Sequence, residues 1–183
     1  MARISELEAK ELAGQAYTDP LTGVLNRQGL RAELMSTSTL LTPPMSVIFA
    51  DIDHFKSIND RHGHDIGDEV LRRFASLIAS NIRSSDRLVR WGGEEFLIVC
   101  PLTDVEQAAR LGEQLRTTLH RLSWPMGLQV TASFGIAQHR HDSEINTVIK
   151  EADEQLYQAK ARGRNQVCAA PVQGADHAGR QRA

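Results

Sequence analysis

The sequence of 183 residues has few cysteines, no excess of basic charge and no long apolar run. Its 2 cysteines, Cys100 and Cys168, are too few for a disulfide framework, so a reducing cytoplasm is the expected location. Its 21 lysines and arginines are offset by 23 aspartates and glutamates, which gives a formal net charge of -2. Such a chain has no basic field to hold a nucleic-acid backbone or an anionic membrane, so neither is an expected partner.

No stretch approaches the roughly 18 consecutive apolar residues that a membrane-spanning helix needs. The first residues include Arg3 and Glu6, where a signal peptide would need an apolar segment. The chain is therefore expected neither to span a membrane nor to be secreted, although a parent protein could carry an anchor elsewhere. With 41% hydrophobic and 24% charged residues, the composition is typical of one globular domain with short extensions.

Hydrophobic spacing divides the chain into a folded domain and two extensions. Residues 2–16 predict an exposed helix with too little apolar surface to fold alone, so it is expected to need a partner. Residues 17–168 predict a helix, a strand, two helices, two strands, a helix, a strand, a helix and a strand, which indicates an α/β or α+β fold. Residues 169–183 are polar and aperiodic, and a disordered tail is expected there.

The near-continuous apolar run 45–50 is typical of a strand buried on both faces and is the best candidate for the central strand. The other strands are predicted at 87–91, 96–100, 128–137 and 166–168. The helices with clear apolar periodicity or terminal signals are predicted near 26–36, 66–78, 105–122 and 145–159.

Asp51 and Asp53 follow the apolar run directly, and their spacing would place both carboxylates on one face at the end of the strand. That arrangement suits a hard divalent cation. A solvated acidic pair is the alternative.

Glu94 and Glu95 follow Gly92-Gly93, a dipeptide able to take the positive φ angles of a tight hairpin. A neighbouring strand could thereby bring a third carboxylate to the same cation site. Because consecutive strand residues point to opposite faces, both glutamates reach one site only if the turn twists the backbone.

Two further groups of polar residues each allow a structural and a functional interpretation. Asp68, at the start of a periodic helix, could complement the positive helix end, or it could read a purine base together with Asn59. Lys160 and Arg164 could complement the negative end of a helix, or they could grip a polyphosphate. The segment from Arg83 to Asp86, taken alone, indicates a polar turn.

Together these segments resemble the diguanylate cyclase family, whose signature hairpin is Gly-Gly-Asp/Glu-Glu-Phe. The resemblance covers about residues 17–168. The matching segments are Gly92-Gly93-Glu94-Glu95-Phe96, Asp19 to Gly23 with Asn26-Arg27, Asp51 to Asp60, Gly63-His64 with Gly67-Asp68, and Lys160 with Gly163-Arg164-Asn165.

The resemblance implies a palm-like nucleotidyl cyclase fold, a central, mainly antiparallel sheet flanked by helices. It implies condensation of two GTP molecules into cyclic di-GMP, with release of two pyrophosphates. The cofactor would be Mg²⁺ or Mn²⁺, two ions per active site. The implied metal ligands are Asp51, the backbone carbonyl of Ile52, Glu94 and Glu95. Asp51 and Glu94 would be catalytic, and Glu94 is also a candidate to help deprotonate the attacking 3′-hydroxyl.

The resemblance also implies how GTP binds. Asn59 and Asp68 would read guanine. The phosphates would be held by the backbone amides at His54 and Phe55 and by Lys56, Lys160 and Arg164.

Because each domain would hold one GTP, the resemblance implies a homodimer in which two sites face each other. Residues 2–16 would be the end of a signalling stalk, with a sensory domain upstream. Arg83 and Asp86 match the family's product-inhibition motif, although Gln114 stands where family members often add a second arginine. The rival interpretation is a domain that binds GTP or cyclic di-GMP without turnover.

Overall fold

The centre of the protein is a five-stranded sheet. The computed structural model describes residues 16–139 and 143–171. Strand β1 (Ser46–Ile52) pairs antiparallel with two strands that come later in the chain, and β2 (Arg87–Arg90) pairs antiparallel with β3 (Glu95–Cys100). The partners of β1 are β3 and β4 (Ala132–Gln138), while β5 (Val167–Ala169) pairs parallel with β4. The strand order is therefore β2-β3-β1-β4-β5.

Helices cover both faces of the sheet, which explains why every residue of β1 is buried. The helices are α1 (Arg27–Ser36), α2 (Phe55–His62), α3 (His64–Ala79), α4 (Val105–Arg121) and α5 (Ile145–Ala161). Ile48 and Ala50 face the layer that contains α2, α3 and α4, whereas Val47 and Phe49 face the layer that contains α1 and α5.

Two features of the sequence explain where α4 begins and how closely α5 packs on the sheet. A capping box starts α4: the Asp104 carboxylate accepts the N–H of Gln107 at 2.7 Å, and Gln107 Oε1 accepts the N–H of Asp104 at 3.0 Å. Gly135 lets α5 approach β4 closely, because a Cβ atom there would overlap the main chain at Ala152 and Leu156. The close approach brings the last turn of α5 beside the end of β1.

The predicted fold class is confirmed, and the order of elements from residue 26 onward agrees with the sequence pattern. The strand expected at 128–137 begins only at Ala132, because its partner β1 ends at Ile52, which lies opposite Ala132. Pairing continues past residue 168, since the N–H of Ala170 donates to the oxygen of Ile136 at 2.8 Å.

The stalk helix predicted at 2–16 lies outside the described residues except for its last position, and so does most of the predicted tail. Within residues 16–139 and 143–171, no helix combines the length and the apolar composition needed to cross a membrane.

Candidate active site

The end of β1 carries a buried carboxylate, Asp51, which is only 6% exposed. Asp51 lies opposite Glu95 in the strand register, and its Oδ2 lies 3.0 Å from the Nζ of Lys160 in the last turn of α5. The pKa of Asp51 is raised from 3.8 to about 6, chiefly by burial; Lys160 opposes the rise, and the charges of Glu94 and Glu95 add to it. This edge therefore carries an excess of negative charge that a further cation would relieve.

The turn between β2 and β3 brings both glutamates towards that edge. The N–H groups of Trp91 and Gly92 donate to the oxygen of Glu95 at 2.8 and 3.2 Å. Neither Gly92 nor Gly93 has a φ angle in the left-handed region, so the expectation of positive φ angles at this dipeptide is wrong. Gly92 instead supplies space, because a Cβ atom there would overlap the Glu95 carboxylate. A side chain at this position would displace one of the candidate metal ligands.

Two arginines hold this hairpin, and neither set of contacts was predicted from the sequence. The guanidinium of Arg90 donates to both Asp19 oxygens at 3.0 Å and to the oxygen of Gly93 at 2.7 and 3.1 Å. Arg27 donates to the oxygen of Trp91 at 2.6 Å and lies over its ring at 4.4 Å from the centroid. The Asp19-to-Arg27 motif was visible in the sequence, but no local signal named its partners. Through these contacts, the Asp19-to-Arg27 motif stabilises the hairpin that carries Glu94 and Glu95.

Asp53 does not share the cation site. Its Oδ1 accepts the hydroxyl of Ser133 at 2.7 Å, and its Oδ2 accepts the hydroxyl of Thr131 at 2.7 Å and the N–H of Asn165 at 3.0 Å. The expectation that Asp53 joins Asp51 as a metal ligand is therefore wrong, because both oxygens of Asp53 are committed to donors from the protein. The side chain joins the end of β1 to the start of β4 and to the loop after α5.

The predicted phosphate-binding residues occupy two adjacent elements. His54 has a φ angle of 55° and precedes α2, whose first turn begins with Phe55 and the exposed Lys56. The first N–H groups of a helix have no partner within the helix and form its positive end. On α5, Lys160 pairs with Asp51, while Arg164 is exposed in the loop that follows. The structure thus brings Lys160, but not Arg164, into contact with a candidate metal ligand.

Asn59 and Asp68 lie on neighbouring helices, α2 and α3. Asn59 packs directly on Gly67, the residue before Asp68, because a Cβ atom at Gly67 would overlap Asn59 Oδ1. That oxygen is buried and has no hydrogen-bond partner. Because that oxygen faces Gly67 and is closed to solvent, the Asn59 side chain must rotate before its amide oxygen can contact a ligand.

The donor set at the β1 edge fits a hard divalent cation. Carboxylates and a backbone carbonyl are the ligands that Mg²⁺ and Mn²⁺ prefer, and Asp51, Ile52, Glu94 and Glu95 supply them. In the part of the chain that the structure describes, no three His, Cys, Asp or Glu side chains are gathered tightly enough to hold a metal, and the ammonium of Lys160 lies on Asp51. The residues therefore fit a metal by chemistry, while the ion pair provides the local positive charge.

Comparison with known families agrees with this geometry. Residues 16–166 match the family described as "Diguanylate cyclase, GGDEF domain". The chain belongs to this GGDEF family. It is 43% identical over 161 residues to the response regulator PleD of Caulobacter vibrioides, covering 83% of this chain and 36% of PleD. It is 36% identical over 164 residues to the diguanylate cyclase DgcM of Escherichia coli, covering 88% of this chain and 40% of DgcM.

Solved structures of GGDEF domains share the fold. The coiled coil and GGDEF domain of DgcB from Caulobacter crescentus, in complex with c-di-GMP, superposes with a TM-score of 0.81 at 29% identity, covering 90% of this chain and 91% of that one. The active GGEEF domain of a diguanylate cyclase from Vibrio cholerae superposes with a TM-score of 0.73 at 38% identity, covering 80% of this chain and 97% of that one.

The opposite end of the sheet of this GGDEF domain contains a second buried aspartate, Asp86, which is 7% exposed. Its Oδ2 accepts the N–H of Arg83 at 2.7 Å, whereas its Oδ1 is buried without a partner. It lines a cavity of about 310 Å³ together with Arg83, Arg110 and Gln114. Gln114 donates to Asn81 Oδ1 at 3.0 Å. The segment from Arg83 to Asp86 is therefore a turn that contains a buried carboxylate, and it is not fully solvated.

Proposed function

We propose that residues 17–168 form a diguanylate cyclase domain that condenses two GTP molecules into cyclic di-GMP and releases two pyrophosphates. The observation that carries the proposal is the meeting of the buried Asp51 with the Glu94-Glu95 hairpin at one edge of the sheet. Membership of the family supports it, as does the name of the relative DgcM, a diguanylate cyclase.

The chemistry consists of two equivalent transfers. In each, the 3′-oxygen of one GTP forms a bond to the α-phosphorus of the other, the bond from that phosphorus to pyrophosphate breaks, and the 3′-hydroxyl loses its proton. Two bound Mg²⁺ or Mn²⁺ ions, held by Asp51, the Ile52 carbonyl, Glu94 and Glu95, would lower the pKa of the hydroxyl and neutralise the leaving pyrophosphate. Asp51 and Glu94 are the proposed catalytic residues, and Glu94 is the proposed acceptor of the proton.

Different residues are proposed to bind the guanine base and the phosphates of GTP. Asn59 and Asp68 are proposed to read guanine, with Asp68 accepting from guanine N1 and N2. The phosphates are held by the amides at His54 and Phe55 and by the side chains of Lys56, Lys160 and Arg164. For Lys160, this role requires the ammonium group to contact a phosphate as well as Asp51.

The reaction requires two copies of the domain, because each copy holds one GTP and the attacking and attacked nucleotides must meet. A homodimer with facing sites satisfies this requirement. Residues 1–16 are proposed to form the end of a signalling stalk that aligns the copies, downstream of a sensory domain. The proposed location is the cytoplasm, where GTP is available.

Cyclic di-GMP is proposed to inhibit its own synthesis by binding at Arg83 and Asp86. The cavity that Asp86 lines together with Arg83 and Arg110 supports this proposal. Arginine can donate to guanine O6 and N7, and aspartate can accept from N1 and N2.

The test of the function is incubation with GTP and MgCl₂, followed by chromatography of the products. Cyclic di-GMP and pyrophosphate are expected in a ratio of one to two, with no product when EDTA is added or when ATP replaces GTP. Binding of GTP without any product would refute the cyclase and leave a receptor domain. An absence of GTP binding would refute the site itself.

A further inference from the structure

The loop after α5 has a backbone that needs external support. Gly163, Arg164 and Asn165 have φ angles of 114°, 63° and 46°, so three consecutive residues are left-handed and two of them are not glycine. Left-handed backbone is unfavourable for residues with a side chain and persists only where the surroundings enforce it. Something in the fold must therefore hold this loop in place.

The support comes from α4, where Arg116 donates to Asn165 Oδ1 at 3.0 Å, and from the end of β1. Asp53, which is 4% exposed, accepts the N–H of Asn165 through its Oδ2 at 3.0 Å. The same carboxylate is itself fixed by the hydroxyls of Thr131 and Ser133, each at 2.7 Å. On the other side of the loop, the N–H of Arg164 donates to the oxygen of Ala159 at 3.0 Å. Arg164 is thus held between the end of α5 and a rigid buried carboxylate.

We infer that Asp53 is a positioning residue for Arg164: by fixing the left-handed loop, it aims the arginine at the β- and γ-phosphates of GTP. The inference rests on the proposed function, in which Arg164 binds those phosphates. Asp53 itself touches neither substrate nor metal in this arrangement, because its oxygens are engaged by protein donors. Its effect should appear in substrate binding rather than in the chemical step.

Steady-state kinetics of Asp53→Ala test the inference. Loss of the acceptor should raise KM for GTP about tenfold and leave kcat within about twofold, because misplacement of a binding group weakens the grip on the phosphates. Asp53→Asn keeps the shape and one acceptor oxygen and should restore KM to within about threefold of wild type. Ser133→Ala is the matched control, since it removes the bond to Oδ1 and leaves the Asn165 contact in place.

The Arg164→Ala background separates positioning from general damage. If Asp53 acts through Arg164, Asp53→Ala should change KM by less than about twofold in that background. An equal rise of KM in both backgrounds, or a rise in Ser133→Ala as large as in Asp53→Ala, would overturn the inference. An Asp53→Asn variant as impaired as Asp53→Ala would do the same.

Two measurements do not depend on turnover. Equilibrium binding should show that Asp53→Ala weakens GTP about tenfold but GMP less than twofold, since GMP lacks the β- and γ-phosphates. If wild type binds GTP but makes no product, the cyclase proposal fails while this comparison still decides the inference. If Asp53→Ala does not fold, hydrogen exchange of wild type decides: the Asn165 amide should exchange at least about tenfold more slowly than in an unstructured peptide, and unprotected exchange would overturn the inference.

Discussion

The two ends of the central sheet each contain a buried aspartate, but different neighbours surround them. At one end, Asp51 faces an ammonium and two further carboxylates. At the other end, Asp86 faces a backbone N–H and a cavity lined by two arginines. Burial raises the pKa of both carboxyls, so burial alone does not distinguish them. The surplus of negative charge favours a metal at the first, whereas the open, arginine-lined cavity favours an organic ligand at the second.

The largest effect is expected from removing a proposed metal ligand at the Asp51 end of the sheet. Asp51→Asn or Glu94→Gln should lower the rate of cyclic di-GMP synthesis by more than about 100-fold, because each removes a negative ligand while nearly preserving shape. Circular dichroism should show an unchanged fold, and pyrophosphate release measures the rate. Glu154→Gln, an exposed change on α5, is the control. Near-normal turnover in either ligand variant would refute the metal assignment.

A somewhat smaller effect is expected at the base-reading residues. Asp68→Ala should reduce the preference for GTP over ATP, as a ratio of kcat/KM, by roughly 10- to 150-fold, since a hydrogen bond to a charged group contributes about 1.5 to 3 kcal/mol. Asp65→Ala removes an exposed carboxylate from the same helix and should leave the ratio unchanged. Equal ratios in wild type and Asp68→Ala would contradict the proposed role in base recognition.

At the Asp86 end, the expected effect is a change of about tenfold in the affinity for cyclic di-GMP. Arg83→Ala should weaken binding of cyclic di-GMP by at least about tenfold, the equivalent of one lost interaction of 1.4 kcal/mol, and raise the inhibitory concentration accordingly. Gln114→Arg should strengthen binding, because it adds a third arginine to the lining of the cavity. Calorimetry measures both affinities. Identical affinities in wild type and Arg83→Ala would remove this site from the proposal.

The sequence predicted the parts of both ends that depend on local pattern. The apolar run before Asp51 and the glycines before Glu94 were enough to indicate the central strand and the hairpin. The partners could not be predicted, because they come from distant segments: Arg90 meets Asp19 across 71 residues, and Asp53 meets Asn165 across 112. The two-residue spacing of Asp51 and Asp53 suggested one shared role, whereas donors from β4 and the loop after α5 gave Asp53 another.

The smallest expected effect is on stability and concerns the pH dependence of Asp86. Burial raises its pKa above the ordinary value of 3.8, against opposing contributions from Arg83 and Arg87. Between the ordinary pKa and the raised pKa of the folded state, the folded protein binds more protons than the unfolded chain. The free energy of unfolding should therefore fall as pH rises through this window and level off above it. Asp86→Asn does not titrate, and the difference between wild type and this variant in urea denaturation should show that fall.

Asp19 provides a control of opposite sign for this measurement. Burial alone would raise its pKa, but hydrogen bonds from Thr22 and Arg90 outweigh burial and lower it. The contribution of Asp19 to stability should therefore be present above its ordinary pKa and be lost as pH falls through the lowered value, and Asp19→Asn should remove that loss. Because the two pKa values shift in opposite directions, the two differences between wild type and variant should change with pH in opposite directions. Differences that change with pH in the same direction would contradict a raised pKa at Asp86.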